Sequence, residues 1–486
     1  MGIVLKQSFN NTVITFIGFA FGAMNTLFLY TTILQPQYYG LVTFILATGA
    51  ILMPIFAFGS HNALVKYYTA QSDSRKDGFL TLILFAPFLT LLPLALITWV
   101  CHESISNFLA TENAIVKDYT WYIFIVGMAM AYFEVFYAWC KVHLKSVFGN
   151  FMKEVFGRLC ISILLILLYF SVISLDFFLK GIVGVYVLRT TLVKLYAYYL
   201  RRPTLDFRFP NEYRAIFSYA ALMVLGGSVA LILLEIDKFM INKFIAIDNV
   251  AFYGVAVYIA TIIAVPARSM NQITYPMTAA LLNNTNFFDL EILYKKTSLT
   301  AFIAAGLLFI LIVLNSQDLF QMLPEVYRGG FEIICLIGLA KVLDAILGNG
   351  NAILFYSRYY KSMLFFGIGL ALLTVLLNLW LIPEMGIIGA ALASFSAIVL
   401  FNTIKIAFVK IKFGFFPFTR ATFRVFGCLV LIGLLFYFLQ FPFHPLVNIA
   451  LKSILMVLMY VGVLYRFDIS EDVSGILSRF LQRRSR

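Results

Sequence analysis

The sequence predicts an all-α membrane protein of about fourteen transmembrane helices, built as two six-helix lobes in parallel pseudo-repeat plus a C-terminal helix pair. Three observations carry this. Of the 486 residues, 62% are hydrophobic and only 12% charged, whereas a soluble domain is about half apolar and about a quarter charged. So few charges cannot cover a water-soluble surface, which excludes soluble enzymes and nucleic-acid-binding domains. The apolar residues also form continuous runs of about 20, the length of a membrane-crossing helix, where barrel strands would alternate over about 10 residues. Finally, the basic residues gather at alternate breaks between runs.

The first run, 10–33, follows Lys6. It is too long for a signal-peptide core and no small-residue cleavage site follows, so it is read as a retained first span. Gln35-Pro36-Gln37 ends it, and the second run, 40–65, carries Pro54 and closes on His61, Asn62 and Lys66. After the polar stretch 71–78 come runs 79–100, 119–140, 155–175 and 181–200, the last stopped by Arg201-Arg202-Pro203. Run 215–244 exceeds what a bilayer needs and holds Glu235, Asp237, Lys238, Asn242 and Lys243. Run 251–280 contains Pro266 and Arg268, and runs 298–315 and 331–357 follow. Pro383-Glu384 separates 362–382 from 387–408, and Phe441-Pro442 separates 421–440 from 447–465.

Cytoplasmic loops carry the excess of Lys and Arg. With the N-terminus inside, the inner segments hold 25 basic residues and the outer loops hold 3, namely Lys117, Lys180 and Arg328. One span more or fewer would destroy that asymmetry. Both termini are therefore expected in the cytoplasm, with a basic tail at 466–486. The net charge of +13 reads as a topology signal that needs no nucleic-acid partner.

An internal repeat sets the expected domains. Tyr39-Gly40 opens the second span and Tyr253-Gly254 the eighth; Gly181-Ile182-Val183-Gly184 answers Gly386-Ile387-Ile388-Gly389 in the sixth and twelfth. The offsets, 214 and 205, each map one six-helix block onto the next with the same orientation. This gives an N-lobe at 1–200, a C-lobe at 215–408 and a helix pair at 421–465. Duplicated lobes around a midplane cavity are transporter architecture. Pro54 and Pro266 are candidate flex points, because proline removes a helix hydrogen bond.

Eight basic residues lie inside apolar runs: Arg189, Lys194, Lys238, Lys243, Arg268, Lys341, Lys405 and Lys452. A charge at the bilayer centre costs at least about 3 kcal/mol, so it should face water or a partner. Arg268 is the leading candidate for binding an anionic group. Lys341 and Asp344 share one helix face at a spacing of three. Lys238 and Asn25 complete the candidate binding set, and Glu134 and Asp237 are candidate ion-coupling carboxylates. Arg189 and Lys194 are expected to snorkel at the inner end of span six. The five cysteines and four histidines show no metal or disulfide spacing, and no phosphate-binding Gly-Lys-Ser/Thr loop is present. No cofactor and no metal are expected. The 51 Phe, 27 Tyr and 4 Trp fit lipid-facing surface and interface belts.

The stretch from Asn378 to Ser394, with Pro383, Gly386, Gly389 and Ala393, resembles the eleventh-to-twelfth span signature of bacterial polysaccharide exporters. Asp237-Lys238 followed by Phe252-Tyr253-Gly254 is similar, as is Pro324-Glu325-Val326-Tyr327 before span ten. Over essentially its whole length the chain resembles lipid-linked oligosaccharide (O-antigen or polysaccharide repeat-unit) flippases of the multidrug/oligosaccharidyl-lipid/polysaccharide exporter superfamily. The resemblance implies alternating-access flipping of an undecaprenyl-pyrophosphate-linked oligosaccharide in the bacterial cytoplasmic membrane, with no enzymatic step. It implies a cationic cavity onto which Arg268 and Lys341 map. Related peptidoglycan-precursor flippases carry several arginines in spans one and two; span one here has none, which argues against that branch. Expected partners are the polyprenyl-pyrophosphate oligosaccharide, membrane lipids, and the glycan polymerase and glycosyltransferases of the same pathway, with the chain itself a monomer. A drug antiporter of the same superfamily would share the fold. A membrane glycan polymerase would need a larger outer catalytic loop than 101–118.

Overall fold

Continuous apolar sequence in a bilayer must satisfy every backbone polar group within its own segment, and the helix does this. The computed structural model describes residues 2–227 and 229–469, and among these the regular structure is helical, with no strand. From residue 470 the expected basic tail, including Arg479, Arg483, Arg484 and Arg486, lies outside the described residues. Nine helices among the described residues are long and apolar enough to cross a membrane. One of them, Tyr360–Phe413, is two helices that meet at Gly386, whose backbone (φ 59°, ψ −136°) is not helical. The other expected spans are shorter, interrupted or charge-bearing helices, so length and apolarity alone do not return the count of fourteen.

The chain divides into two compact units, Met1–Gly254 and Val255–Arg486. In the first unit, α1 (Gly2–Ala23) passes through a π-helical segment, Met24–Leu29, before α2 (Pro36–Phe56). The second expected span breaks after α2. Phe58 and Gly59 take positive φ values of 48° and 62°, and α3 (Ser60–Tyr67) continues it. Gly59 packs so closely on Ala220 that a side chain would strike the Ala220 carbonyl. Next come α4 (Phe88–Val100), α5 (Thr120–Val142), α6 (Gly157–Tyr169) and α7 (Leu175–Leu200). Span seven is α8 (Tyr213–Gly227) followed by α9 (Val229–Phe244), and it packs within the first unit, α8 on α3 and α9 on α2. The core of this unit gathers Phe79, Phe133, Trp139 and Val193 from three helices.

A polar latch closes one end of the first unit. Arg201 donates to an Asp77 carboxylate oxygen at 2.7 Å and to the Tyr68 hydroxyl at 3.3 Å, and that hydroxyl lies 3.4 Å from His143 Nε2. Burial pushes the His143 imidazole below its ordinary range, and the nearby Arg201 and Lys76 charges push the same way. The folded chain therefore favours neutral His143. That stabilisation is present above the unfolded imidazole value, about 6.5, and is lost as pH falls below it. Thermal unfolding in detergent should show a midpoint that drops between pH 7.5 and 5.5, with a smaller drop in His143→Gln.

In the second unit, a 3₁₀ turn at Ile262–Ala264 leads into α10 (Val265–Asn283), then α11 (Phe287–Gln321), α12 (Phe331–Ile346), α13 (Gly350–Tyr356), α14 (Tyr360–Phe413), α15 (Arg420–Tyr437) and α16 (Pro445–Arg466). Pro266 was expected to bend the middle of a span. It instead sits in the first turn of α10, where its missing N–H has no helical partner to lose. The departure from regular α-helix there is the 3₁₀ turn before it. Pro54 does lie inside α2, one turn before the Phe58-Gly59 break. α11 is the hub: α10, α12, α15 and α16 pack on it.

The repeat motifs acquire physical roles. Gly40 lies against the Ile247 carbonyl and Gly254 against Thr43, so both Tyr-Gly pairs line one packing seam in the first unit. Each tyrosine bonds back to the preceding span, Tyr39 to the Thr26 carbonyl at 3.3 Å and Tyr253 to Asp237 at 2.6 Å. The other motif pair differs. Gly181 and Gly184 lie within α7, which begins at Leu175, whereas Gly386 makes the bend in α14 and Gly389 tucks under the Leu381 carbonyl.

Candidate functional site

The first unit gathers charge from three segments. On α5, Glu134, Tyr137 and Lys141 follow at intervals of three and four, which stacks them on one face. The π-helical turn Met152–Phe156 presents Lys153, whose ammonium meets Glu134 Oε1 at 2.6 Å. Lys141 Nζ stands 3.9 Å and Lys153 Nζ 6.0 Å from the centroid of the Tyr137 ring. Glu154 and Arg158 pair more loosely at 3.6 Å. Arg189 comes from the middle of α7, which packs on both α5 and α6.

Arg189 is the unusual member. Only 9% of it is exposed, and its guanidinium lies 4.2 Å from the Phe133 ring centroid and 4.6 Å from that of Tyr186. Gly157 leaves open the space beside it. Among the described residues its Nε–H has no acceptor, and neither does Arg158 Nη1. Buried polar groups are normally bonded, and an unspent guanidinium N–H is the strong, planar donor that matches phosphate oxygens. Four cations, Lys141, Lys153, Arg158 and Arg189, stand here against two carboxylates, Glu134 and Glu154. The cluster therefore carries excess positive charge and unused donors.

The second unit has a thinner polar set. Asp344 on α12 accepts from Asn402 Nδ2 at 3.4 Å, and the buried Lys405 ammonium approaches Asn402 Oδ1 at 3.5 Å. Lys341 lies one turn earlier on α12 and is half-buried. Arg268 is exposed, on the same strip of α10 as Gln272 and Pro276, and makes no hydrogen bond or ion pair among the described residues. The opposite, buried strip carries Thr278, which ties to Asn349 at 2.7 Å.

The family model for polysaccharide biosynthesis proteins matches residues 4–282, more than half of the chain. The chain belongs to the polysaccharide biosynthesis protein family. No curated protein matches it by sequence. Among solved structures, this family member superposes on the lipid II flippase MurJ in an inward closed conformation with a TM-score of 0.73 at 15% identity, over 95% of this chain and 99% of that one. It also resembles an inward-facing MATE multidrug-resistance transporter of the MOP superfamily (TM-score 0.62, 14% identity, 83% and 94% covered). A MOP superfamily transporter from Pyrococcus furiosus gives 0.56 at 14% identity, over 85% and 95%. Those likenesses establish the fold. This polysaccharide biosynthesis protein is an integral, multi-pass membrane protein.

The sequence-expected residues fall in several places. Asn25 spends its amide on structure. It donates to the Arg158 carbonyl at 2.8 Å and accepts from Ser162 at 2.6 Å, which joins the π segment to α6. Lys238 pairs with Glu235 at 2.7 Å on its own helix, and the buried Asp237 accepts from Tyr253. Glu134 is neutralised by Lys153. Lys341, Asp344 and Arg268 lie in the second unit, where Lys405, absent from the expected site, joins Asp344 through Asn402. Arg189 corrects an expectation. It does not snorkel, because α7 starts six residues before the expected span and so places Arg189 mid-helix, under aromatic rings. Lys141, Lys153 and Arg158, read from sequence as topology charges, belong to the cluster. The spacing Tyr186-x-x-Arg189 was the one local sign, a cation one turn from an aromatic ring.

Proposed function

We propose that this family member flips a polyprenyl-diphosphate-linked oligosaccharide from the inner to the outer leaflet of a bacterial cytoplasmic membrane by alternating access, for surface polysaccharide synthesis. The observation that carries the proposal is the pair of buried guanidinium N–H groups on Arg158 and Arg189 that have no acceptor among the described residues, set among two further cations. A diphosphate supplies the oxygens those donors lack, and bidentate guanidinium–phosphate bonds add geometry to charge. In this reading the two pseudo-repeat lobes, 1–200 and 215–408, move to give alternating access while the polyprenyl tail stays in lipid beside the terminal helix pair. Arg268 and Lys341 are the cations that the second lobe offers the anionic headgroup, and Lys238 assists once freed from Glu235. Both termini are in the cytoplasm.

The driving force follows from charge. An inside-negative potential contributes about 2.3 kcal/mol per charge per 100 mV, so outward movement of a diphosphate anion is electrically downhill. Coupling to an ion through Asp237 or Glu134 is the alternative source of energy. The MATE-like fold equally supports a second reading, an antiporter of organic cations. Against it, the half-buried carboxylate Glu134 already faces Lys153.

Deletion of the gene, followed by extraction of lipid-linked intermediates, tests the proposal. Complete repeat units should accumulate facing the cytoplasm. Single units that reach the outside but are never extended would assign the chain to polymerisation instead. Unchanged intermediates with altered sensitivity to cationic drugs would favour the antiporter.

A further inference from the structure

A large cavity lies within the second unit. It encloses about 1000 Å³ between the end of α11, the 328–332 loop before α12, and the 437–448 connection that joins α15 to α16. That volume is at the upper end of what encloses a small organic ligand. By the distribution of basic residues, this is the outer end of the unit.

The lining is chemically specific. Asp318 and Glu332 balance Arg328 and Lys452, so the cavity has no marked excess of either sign. Lys452 is 6% exposed and already donates to the Leu314 carbonyl at 2.9 Å, which leaves it poorly placed to hold a free anion. Asn448 is 8% exposed. Its amide N–H groups reach Asp318 at 3.2 Å and the Phe441 carbonyl at 3.0 Å, while its buried Oδ1 has no donor among the described residues. Gln317, Gln321 and Gln440 add three exposed amides, each both donor and acceptor. Phe331 and Tyr437 offer partly exposed aromatic faces beside them.

Amides and carboxylates in charge balance, one unspent buried acceptor, and flat apolar faces suit a ligand dense in hydroxyl groups with C–H faces between them. The geometry points to a saccharide-binding site, one that takes neutral or N-acetylated sugar rings on the outer side. This site deepens the transport reading, since it would hold the sugar portion of the cargo after crossing.

The test uses the full chain in phosphatidylcholine nanodiscs and free sugars that carry no lipid or phosphate. Saturation-transfer NMR is run with lactose, chitobiose and a uronic-acid disaccharide, and inorganic pyrophosphate is added as a competitor. At least one disaccharide should receive saturation, pyrophosphate should not displace it, and Gln321→Ala and Asp318→Asn should each weaken binding by about fivefold or more, the loss expected from one removed hydrogen bond. Gln321 is exposed, so its variant should keep the wild-type melting midpoint. No transfer to any of the three sugars, equal transfer in both variants, or displacement by pyrophosphate would overturn the site. Export separates the two readings. Lost sugar binding with normal lipid-linked export refutes a role for the pocket in transport and leaves the flippase reading standing, whereas retained sugar binding in a chain that exports no glycolipid refutes the flippase reading.

Discussion

Arg189→Met is expected to lower transport about tenfold or more while leaving the melting midpoint unchanged or raised. Methionine keeps most of the volume between Phe133 and Tyr186, so packing survives. The lost guanidinium is a buried charge with an unspent Nε–H, and removing such a group relieves a desolvation cost. What disappears is the donor pair for a diphosphate, worth about 1.5–3 kcal/mol per charged hydrogen bond, or roughly one to two factors of ten. Arg189→Lys should fall between, since a point charge remains but the planar fork does not. Surface-glycan recovery in a deletion strain, read beside a thermal melt, checks this. Full recovery with a lowered midpoint would make Arg189 a packing residue.

The second large effect is on folding. Gly40→Val should unfold the chain at a markedly lower temperature, a loss of about 2 kcal/mol or more. A Cβ at Gly40 would overlap the Ile247 carbonyl oxygen, and backbone cannot step aside as a flexible side chain can. α2 and α9 pack in this region of the first unit, so separating them exposes apolar surface on both. The pseudo-equivalent Gly254 gives the control. A Cβ there makes ordinary contact with the Thr43 methyl, so Gly254→Ala should be neutral or slightly stabilising in a helix. A comparison of melting midpoints in detergent separates the two, and equal midpoints would refute the close-packed seam.

The sequence carried the helical class and many of the breaks because those depend on local chemistry. Gln35-Pro36 starts α2, and Pro383-Glu384 marks the place where α14 turns at Gly386. Breaks inside apolar runs were not legible. Phe58-Gly59, just before Ser60-His61-Asn62, and Ile262–Ala264, just before Pro266, interrupt the helix inside runs that hydropathy alone joins into one span. The candidate site was read partly from the wrong end. Arg268 stood out because apolar residues surround it in sequence, whereas Lys141, Lys153 and Arg158 were absorbed by the topology count. Their convergence depends on how α5, α6 and α7 pack, which no spacing reports. Asn25 looked like a ligand for the same reason that it is structural: a lone amide in an apolar span must find partners, and Arg158 and Ser162 supply them.

Reconstituted flipping is the decisive measurement. Purified protein in liposomes would be given a polyprenyl-diphosphate oligosaccharide, its monophosphate analogue and an organic cation, with transfer followed at an imposed inside-negative potential. The cationic cluster predicts fastest transfer of the diphosphate lipid, slower transfer of the monophosphate, inhibition by inorganic pyrophosphate on the loading side, and loss of the diphosphate preference in Arg189→Met. Movement of the organic cation with no transfer of the diphosphate lipid would contradict it.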